Sequence, residues 1–494
     1  MTVSESTTDQ GCPLAVTGIG LVSAAGSGAG ALREAMRARR SHLGRVPRLS
    51  ALKLALDAGG AVPQEALGSG PISPGEDRIL SFCARAAGEA LADAGLERKP
   101  PSLAGIALGS ALGAVEELEA LVRAERNGGL SPEAARARRR AAGPPDLTER
   151  LAARFALRGP RSTFSVTCAS GLCALEQAAA DLRLGRAEAM LVGSADTLSG
   201  FMQAGFCALR ALSPSGRLQP FQPGHDGIVL GEGAAFIVLE SEGRARARGV
   251  RIYGLIAGNR LISDAAHLTS PDESGAGMAR AITLALEDAK MEPQALGAVT
   301  VTASGSPIYD RMQSRALHRA LGAAAGRVPV TTWEAAIGHA LAGTSILGLV
   351  HAAQTLAERT VLPVAASGSQ PGDLDPECAL CYVRERETPL DGRAVLALTV
   401  GFGGQNGATV VAETPPEGLL RAVRRSKRSE EPPPLPIRSQ HAHRRWVGSE
   451  TWPEGSGEQC GAADRRSSRE PASAGGCEAR QEAERASART GESA

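Results

Sequence analysis

The sequence predicts an α/β fold with helices covering both faces of each sheet. Two observations lead there. Short apolar segments of strand length alternate with stretches whose apolar residues recur at helical spacing. This alternation runs twice, divided near Ser241–Gly249, and the two rounds are similar in length, which points to a duplicated unit. At 494 residues the chain exceeds the size at which a single core stops growing, so two packed units are expected. Hydrophobic residues make up 43% and aromatic ones only 3%, so Ala, Leu, Val and Gly must fill the interior.

Residues 1–11 are polar and are expected to form a flexible N-terminus. The first round occupies 12–245. Leu14–Val22 is apolar and punctuated by Gly18 and Gly20, a buried strand leading into a turn. Helices are expected over Ala31–Arg39 and Glu76–Gly95. Ile106–Leu108 reads as a short buried strand. Glu116–Arg140 is charged and helical in pattern, ending in Arg136, Arg138, Arg139 and Arg140. A strand at Thr163–Val166, a helix at Ala174–Leu184, and strands at Ala189–Val192 and Ala234–Leu239 complete this round.

The second round lies in 246–413. It holds a helix at Met278–Lys290, a strand at Ala298–Thr302, a helix at Met312–Leu321, a helix after Gly343 and a strand at Val395–Val400. Residues 414–494 are rich in Pro, Ser, Gly, Arg and Glu and lack apolar periodicity. Such a tract buries too little apolar surface to offset chain entropy, so a disordered tail is expected.

The net charge of +1 gives no global field for nucleic acid or an anionic membrane. No window of about 20 apolar residues suggests a membrane span, and the first residues lack a secretory pattern. The nine cysteines are odd in number and not spaced as a disulfide framework. Cys378 and Cys381 form one CxxC with no second pair, which reads as a strand with two small residues rather than zinc ligands. A reducing, cytoplasmic setting is the expectation.

The most informative stretch is Ser165-Val-Thr-Cys168-Ala-Ser-Gly-Leu-Cys173. An apolar strand ends, a cysteine follows, and small residues lead into a helix. That places Cys168 at or just before a helix N-terminus, where unpaired N–H groups and the dipole favour a thiolate. A thiolate attacks thioesters well and leaves again easily, which suits acyl transfer. Local packing alone could also produce this pattern.

From Thr167 through Thr197, TCASGLCALEQAAADLRLGRAEAMLVGSADT resembles the nucleophile segment of β-ketoacyl synthases. The resemblance continues through Ala211-Leu-Ser, Phe221, Asp226–Gly233, Val16–Gly26 and Gly401–Asn406, over roughly residues 12–412. It implies the thiolase-like fold, a duplicated α-β-α-β-α layered sandwich. It also implies a homodimer, or a heterodimer with another ketosynthase. By resemblance, Cys168 accepts an acyl group from acyl carrier protein or coenzyme A and condenses it with a malonyl-type extender in fatty-acid or polyketide synthesis. No cofactor is expected to stay bound, and phosphopantetheine arrives on the carrier.

The same resemblance places His339, in Ile337-Gly-His-Ala, at the family's Gly-His position, with an imidazole able to donate to a thioester oxygen. It assigns the gate and a backbone oxyanion donor to Phe402, alongside the Cys168 amide, and makes Glu232 a supporting carboxylate. The first family histidine is replaced: Thr302-Ala-Ser-Gly-Ser-Pro307 stands where His-Gly-Thr-Gly-Thr-Pro is usual, so Thr302 occupies its position. Glu334 stands at the usual lysine. Asp310 remains of that lysine's carboxylate network, while Gln313 and Gly348 replace two others. A rebuilt site is expected, in which Cys168 acylates and malonyl decarboxylation is slow or redirected. Other readings are transfer to a non-malonyl nucleophile, or a chain-length-factor-like partner, against which Cys168 argues. His225 reads as a turn-supporting residue. Arginine runs most often form solvated faces; docking of an acidic carrier protein is the functional alternative for Arg136–Arg140.

Overall fold

The computed structural model describes residues 13–68, 77–129, 131–365 and 374–413; the expected flexible start and tail lie outside them. In the first round, strands β1 (Leu14–Ser23), β2 (Ala104–Gly109), β3 (Arg161–Phe164), β4 (Ala189–Asp196) and β5 (Gly233–Ser241) lie in the order β1-β5-β4-β2-β3. In the second, β6 (Gly254–Ser263), β7 (Leu296–Thr300), β8 (Val330–Thr331), β9 (Ala394–Gly401) and β10 (Gln405–Ala412) lie in the order β6-β10-β9-β7-β8. Read outward from β1 or from β6, both sequences of pairings are antiparallel, antiparallel, parallel, parallel. Identical order and direction in both halves is the duplication. The halves meet where β1 and β6 pair antiparallel, which joins these ten strands in one sheet, with the two-residue strand Gly26–Ser27 as an eleventh beside β1.

Five layers follow from the helices. Helix α1 (Ala29–Arg37) follows β1, and α2 (Arg78–Asp93) packs on the outer face of β1, β5 and β4, its first turn capped by Asp77, which accepts from the Leu80 amide at 2.7 Å. The charged region is two helices, α3 (Val115–Arg126) and α4 (Pro132–Ala141), because Asn127 and Gly128, at φ 70°, end the first. Helix α5 (Pro144–Arg154) leads to β3, α6 (Ser170–Arg183) follows it, and α7 (Gly200–Ala208) follows β4. The divide between the rounds is itself helical, α8 (Glu242–Arg248). In the second round α9 (Ala276–Ala289) and α10 (Pro307–Leu321) cover the outer face, α11 (Glu334–Ile337) is a single turn, and α12 (Gly343–Glu358) is central. Helices α6 and α12 touch each other and strands of both halves, so they form the middle layer. Every residue from Gly343 to Leu356 is buried, as a helix enclosed on all sides must be.

Gly18 and Gly20 lie inside β1 rather than in a turn. A Cβ at either position would meet the carbonyl of Ala90 or Ala86 within 2.1 Å, so their lack of side chains lets α2 rest directly on the strand. The Cys378 region is not a strand: Pro376–Cys378 is a 3₁₀ turn, and Cys381 is exposed. Among the described residues no helix is long and apolar enough to cross a membrane.

The middle layer contains a buried histidine. His351 of α12 lies 5.9 Å from the Trp333 ring, and neither ring nitrogen has a hydrogen-bond partner among the described residues. Burial, helped by nearby Arg33, lowers its pKa to about 3. The folded state thus excludes a proton that the unfolded chain binds below about 6.5, and stability falls as pH drops from 6.5 towards 3. Replacing His351 with leucine is expected to remove about 2 kcal/mol of the stability difference between pH 6.5 and pH 5, read by urea unfolding at both values.

Candidate active site

The chain reaches Cys168 through a strained elbow. Strand β3 ends at Phe164, and Thr167 adopts φ 49°, a left-handed conformation that a β-branched residue rarely takes. Ser170 stabilises the bend: its hydroxyl accepts from the Val166 amide at 2.8 Å and donates to the Thr167 carbonyl at 2.6 Å. Helix α6 starts at Ser170, so Cys168 sits two residues before its first turn. The cysteine is 8% exposed, and its neighbour Thr167 faces solvent.

His339 reaches the sulfur from the opposite half. Its Nε2 lies 3.1 Å from Cys168 Sγ. The backbone around it is clamped, with His339 N donating to Val229 O at 2.8 Å and Gly231 N donating to His339 O at 2.8 Å. On its other side Nδ1 lies 2.7 Å from Oε1 of Glu334. The two residues are five apart, and they converge because α11 makes one tight turn and Gly338, at φ 84°, folds the chain back. Burial works against a charged ring, but the Cys168 sulfur and the Glu334 carboxylate outweigh it and hold the His339 pKa well above its usual value. Burial also raises the Glu334 pKa, which the His339 contact opposes.

Phe402 lies in the turn after β9, its ring stacked near Phe206 at 5.3 Å and Tyr309 at 6.2 Å. Its carbonyl accepts from the Thr167 hydroxyl at 3.0 Å, which ties the turn to the elbow. Among the described residues neither the Cys168 nor the Phe402 amide donates to a protein acceptor, so both are available to an oxyanion.

Two sequence expectations, for Thr302 and Asp310, are corrected. Thr302 is buried, and its single hydroxyl proton goes to Leu398 O at 3.0 Å, so it supplies no second donor at the sulfur. Asp310 does not hydrogen-bond to Glu334 or His339; it accepts from Phe221 N at 2.9 Å and meets His225 Nδ1 at 3.0 Å. Glu232 makes no hydrogen bond to Cys168 or His339; it accepts from Val62 N, Leu198 N, Arg48 and Arg78 at 2.8, 3.0, 2.6 and 2.5 Å. His225 bridges Asp310 and Asp375, at 3.0 and 3.1 Å.

The structure also shows what fills the lost network. A Cβ on Gly348 would come within 2.6 Å of the Trp333 indole, so a carboxylate side chain at 348 has no room. Gln313 donates to Thr302 O at 2.6 Å and holds that strand end by its backbone. One organising residue was not singled out from sequence. Asp196 at the end of β4 accepts from Ser110 Oγ, Ala111 N and Ala342 N at 2.9, 3.1 and 2.8 Å, fixing the start of α12 just after His339. Burial raises its pKa to about 6. The only sequence signal was a lone acidic residue closing an apolar strand.

A strand–cysteine elbow facing an imidazole across two duplicated halves is the arrangement of a condensing enzyme. Two family models match the chain: Beta-ketoacyl synthase, N-terminal domain, over residues 12–245, and Beta-ketoacyl synthase, C-terminal domain, over residues 253–367. The chain belongs to the β-ketoacyl synthase family. It is 35% identical over 358 residues to a "Putative polyketide beta-ketoacyl synthase 1" of Streptomyces halstedii, covering 70% of this chain and 83% of that protein. It is 32% identical to the "Tetracenomycin polyketide synthase ketoacyl synthase alpha subunit" of Streptomyces glaucescens, covering 80% and 96%. A solved β-ketoacyl synthase from Burkholderia phymatum superposes with a TM-score of 0.73 at 29% identity, over 82% of this chain and all of that one. The same TM-score, at 27% identity and the same coverage, relates the chain to a structure described as a type II PKS acyl-carrier protein in complex with its ketosynthase. This β-ketoacyl synthase is therefore a condensing acyltransferase in type, with the thiolase-like fold.

Proposed function

We propose that this β-ketoacyl synthase takes an acyl chain onto Cys168 from phosphopantetheine, carried by acyl carrier protein or coenzyme A, in fatty-acid or polyketide synthesis. The observation that carries the reading is the 3.1 Å contact between Cys168 Sγ and His339 Nε2, beside two amides free to receive the thioester oxygen. Each such donor is typically worth about 3 kcal/mol in the transition state. Decarboxylation of a malonyl extender makes a further demand, an enolate oxygen that needs donors. With Thr302 committed to Leu398, the site offers one imidazole where the family normally has two. Acylation is the fast step in this reading and malonyl decarboxylation the slow one.

The proposal sets the reaction in the cytoplasm, where thiols stay reduced, and includes a second ketosynthase-type chain, identical or related, as dimer partner. Strand β3 lies at the edge of the sheet, paired on one side with β2 among the described residues, which leaves a place for a partner strand. The arginines of α4 are exposed, with Arg139 paired to Glu125 at 2.7 Å, as in a solvated face, and docking of an acidic carrier protein is their alternative role. Rapid mixing with hexanoyl-coenzyme A is expected to release a burst of about one equivalent of free coenzyme A per chain, absent from Cys168→Ala. A wild-type trace without a burst, across acyl-coenzyme A and acyl-carrier donors, would remove the reading.

A further inference from the structure

Cys168, His339 and Glu334 lie in one line of contacts, with Sγ to Nε2 at 3.1 Å and Nδ1 to Oε1 at 2.7 Å. Glu334 is fully buried, and its carboxylate lies against the ring from the side opposite the sulfur. A nucleophile, a ring base and an orienting carboxylate in that sequence activate acceptors that must lose a proton as they attack. Carbon–carbon condensation makes no such demand, since its nucleophile arises by loss of carbon dioxide.

The tautomer sharpens the contrast. In the acyl-enzyme the sulfur no longer carries charge and the ring has given up its proton, so a neutral His339 whose Nδ1–H is held by Glu334 presents the Nε2 lone pair to the acceptor. A lone pair accepts a proton from an O–H or N–H group. It cannot donate a hydrogen bond to the oxygen of a malonyl-derived enolate. The Thr302 hydroxyl, the other candidate donor, is given to Leu398 O. Both departures from the family pattern weaken malonyl decarboxylation, and the Glu334 one equips the site for proton removal from an acceptor.

We propose that Cys168, His339 and Glu334 form a triad that hands the acyl group to an acceptor bearing an O–H or N–H, an alcohol or amine, giving an ester or amide. The proposal rests on the reading that Cys168 carries an acyl group. In the first half-reaction the sulfur attacks the thioester carbonyl, the donor C–S bond breaks, and the departing thiolate takes the proton from His339 Nε2. In the second, the acceptor oxygen or nitrogen attacks the acyl carbonyl while its proton passes to Nε2. The C–S bond to Cys168 then breaks, and thiolate and imidazolium are restored. Nothing is oxidised or reduced. Glu334 is a positioning residue, which fixes the ring and stabilises its charge in each half.

The test loads the full-length enzyme with hexanoyl-coenzyme A and follows the Cys168 adduct by intact mass. Absence of the adduct defeats the acyl-carrying reading itself, before the acceptor question arises. Adduct in hand, the acyl-enzyme is offered ethanolamine, glycerol or malonyl-coenzyme A in turn. Hexanoyl amide or ester is expected, formed at least about tenfold faster than carbon dioxide is released from malonyl-coenzyme A. Glu334→Gln is expected to form the adduct, which shows that it folds, yet to slow transfer to ethanolamine by about 10²-fold or more and alter its pH profile. Glu334→Asp should recover part of the rate. Malonyl-dependent carbon dioxide release that matches or exceeds amide formation overturns the proposal. So does hydrolysis at a rate no acceptor alters, or a Glu334→Gln enzyme that transfers as fast as wild type.

Discussion

Replacing His339 with alanine is expected to lower acyl transfer by about 10²–10⁴-fold, the usual cost of removing a positioned acid or base. The ring touches the sulfur at 3.1 Å, and no other side chain among the described residues makes a hydrogen-bond contact with Cys168. The variant also strips Glu334 of its partner. That carboxylate is fully buried and its pKa is already raised by burial, so it is expected to take up a proton rather than stay charged and unpaired. Because Glu334 acts through the ring, adding Glu334→Gln to His339→Ala should cost little more. Groups that work as a unit are strongly non-additive. The measurement is the rate of the coenzyme A burst in both single variants and the double. A His339→Ala burst within fivefold of wild type, or a double variant that loses the full cost of each single, would show that the ring does not serve acylation.

The largest effect on stability is expected at Glu232, at the start of β5. Its carboxylate is completely buried and accepts from two backbone amides and two arginines. These partners come from the segment after β4, from the residues around 48–62 and from the start of α2, so one side chain fastens three pieces of chain. Removing one partner from a buried ion pair typically costs about 3–5 kcal/mol, because the others remain desolvated without a counter-charge. Glu232→Ala is expected to lower unfolding stability by that amount in a denaturant titration, shifting the midpoint with the slope unchanged. A loss below about 1 kcal/mol would mean that water or relaxation rescues the arginines. The neighbouring Gly231 amide holds the His339 carbonyl, so catalytic loss should accompany the destabilisation.

The sheet and helices were legible where periodicity was strong. Helix α12 and strands β1, β4, β5 and β9 fall within a few residues of where apolar patterning places them, because buried elements must be apolar on every face. The nucleophile was legible too, since a strand, a cysteine and small residues preceding a helix describe the elbow in order. What periodicity does not carry is the direction of a hydrogen bond. Thr302 sits where a histidine is usual, but whether its hydroxyl faces the sulfur or Leu398 depends on the end of β7 and on its neighbour β9. Glu334 was visible as a replaced lysine. Its contact with His339 depends on the backbone reversal at Gly338, which gives no signal beyond a glycine. Trp333 explains the loss of a side chain at 348 only once the two are seen in contact.

One sulfur, brought to an imidazole from the other half of the fold, is expected to become covalently acylated. Intact-mass and peptide mass spectrometry, after incubation with a panel of acyl-coenzyme A and acyl-carrier thioesters, tests it most directly. A single acyl increment mapped to Cys168 is expected, present in wild type and in Glu334→Gln, and absent from Cys168→Ala. An unmodified Cys168 with every donor, or an increment that persists in Cys168→Ala, would contradict it.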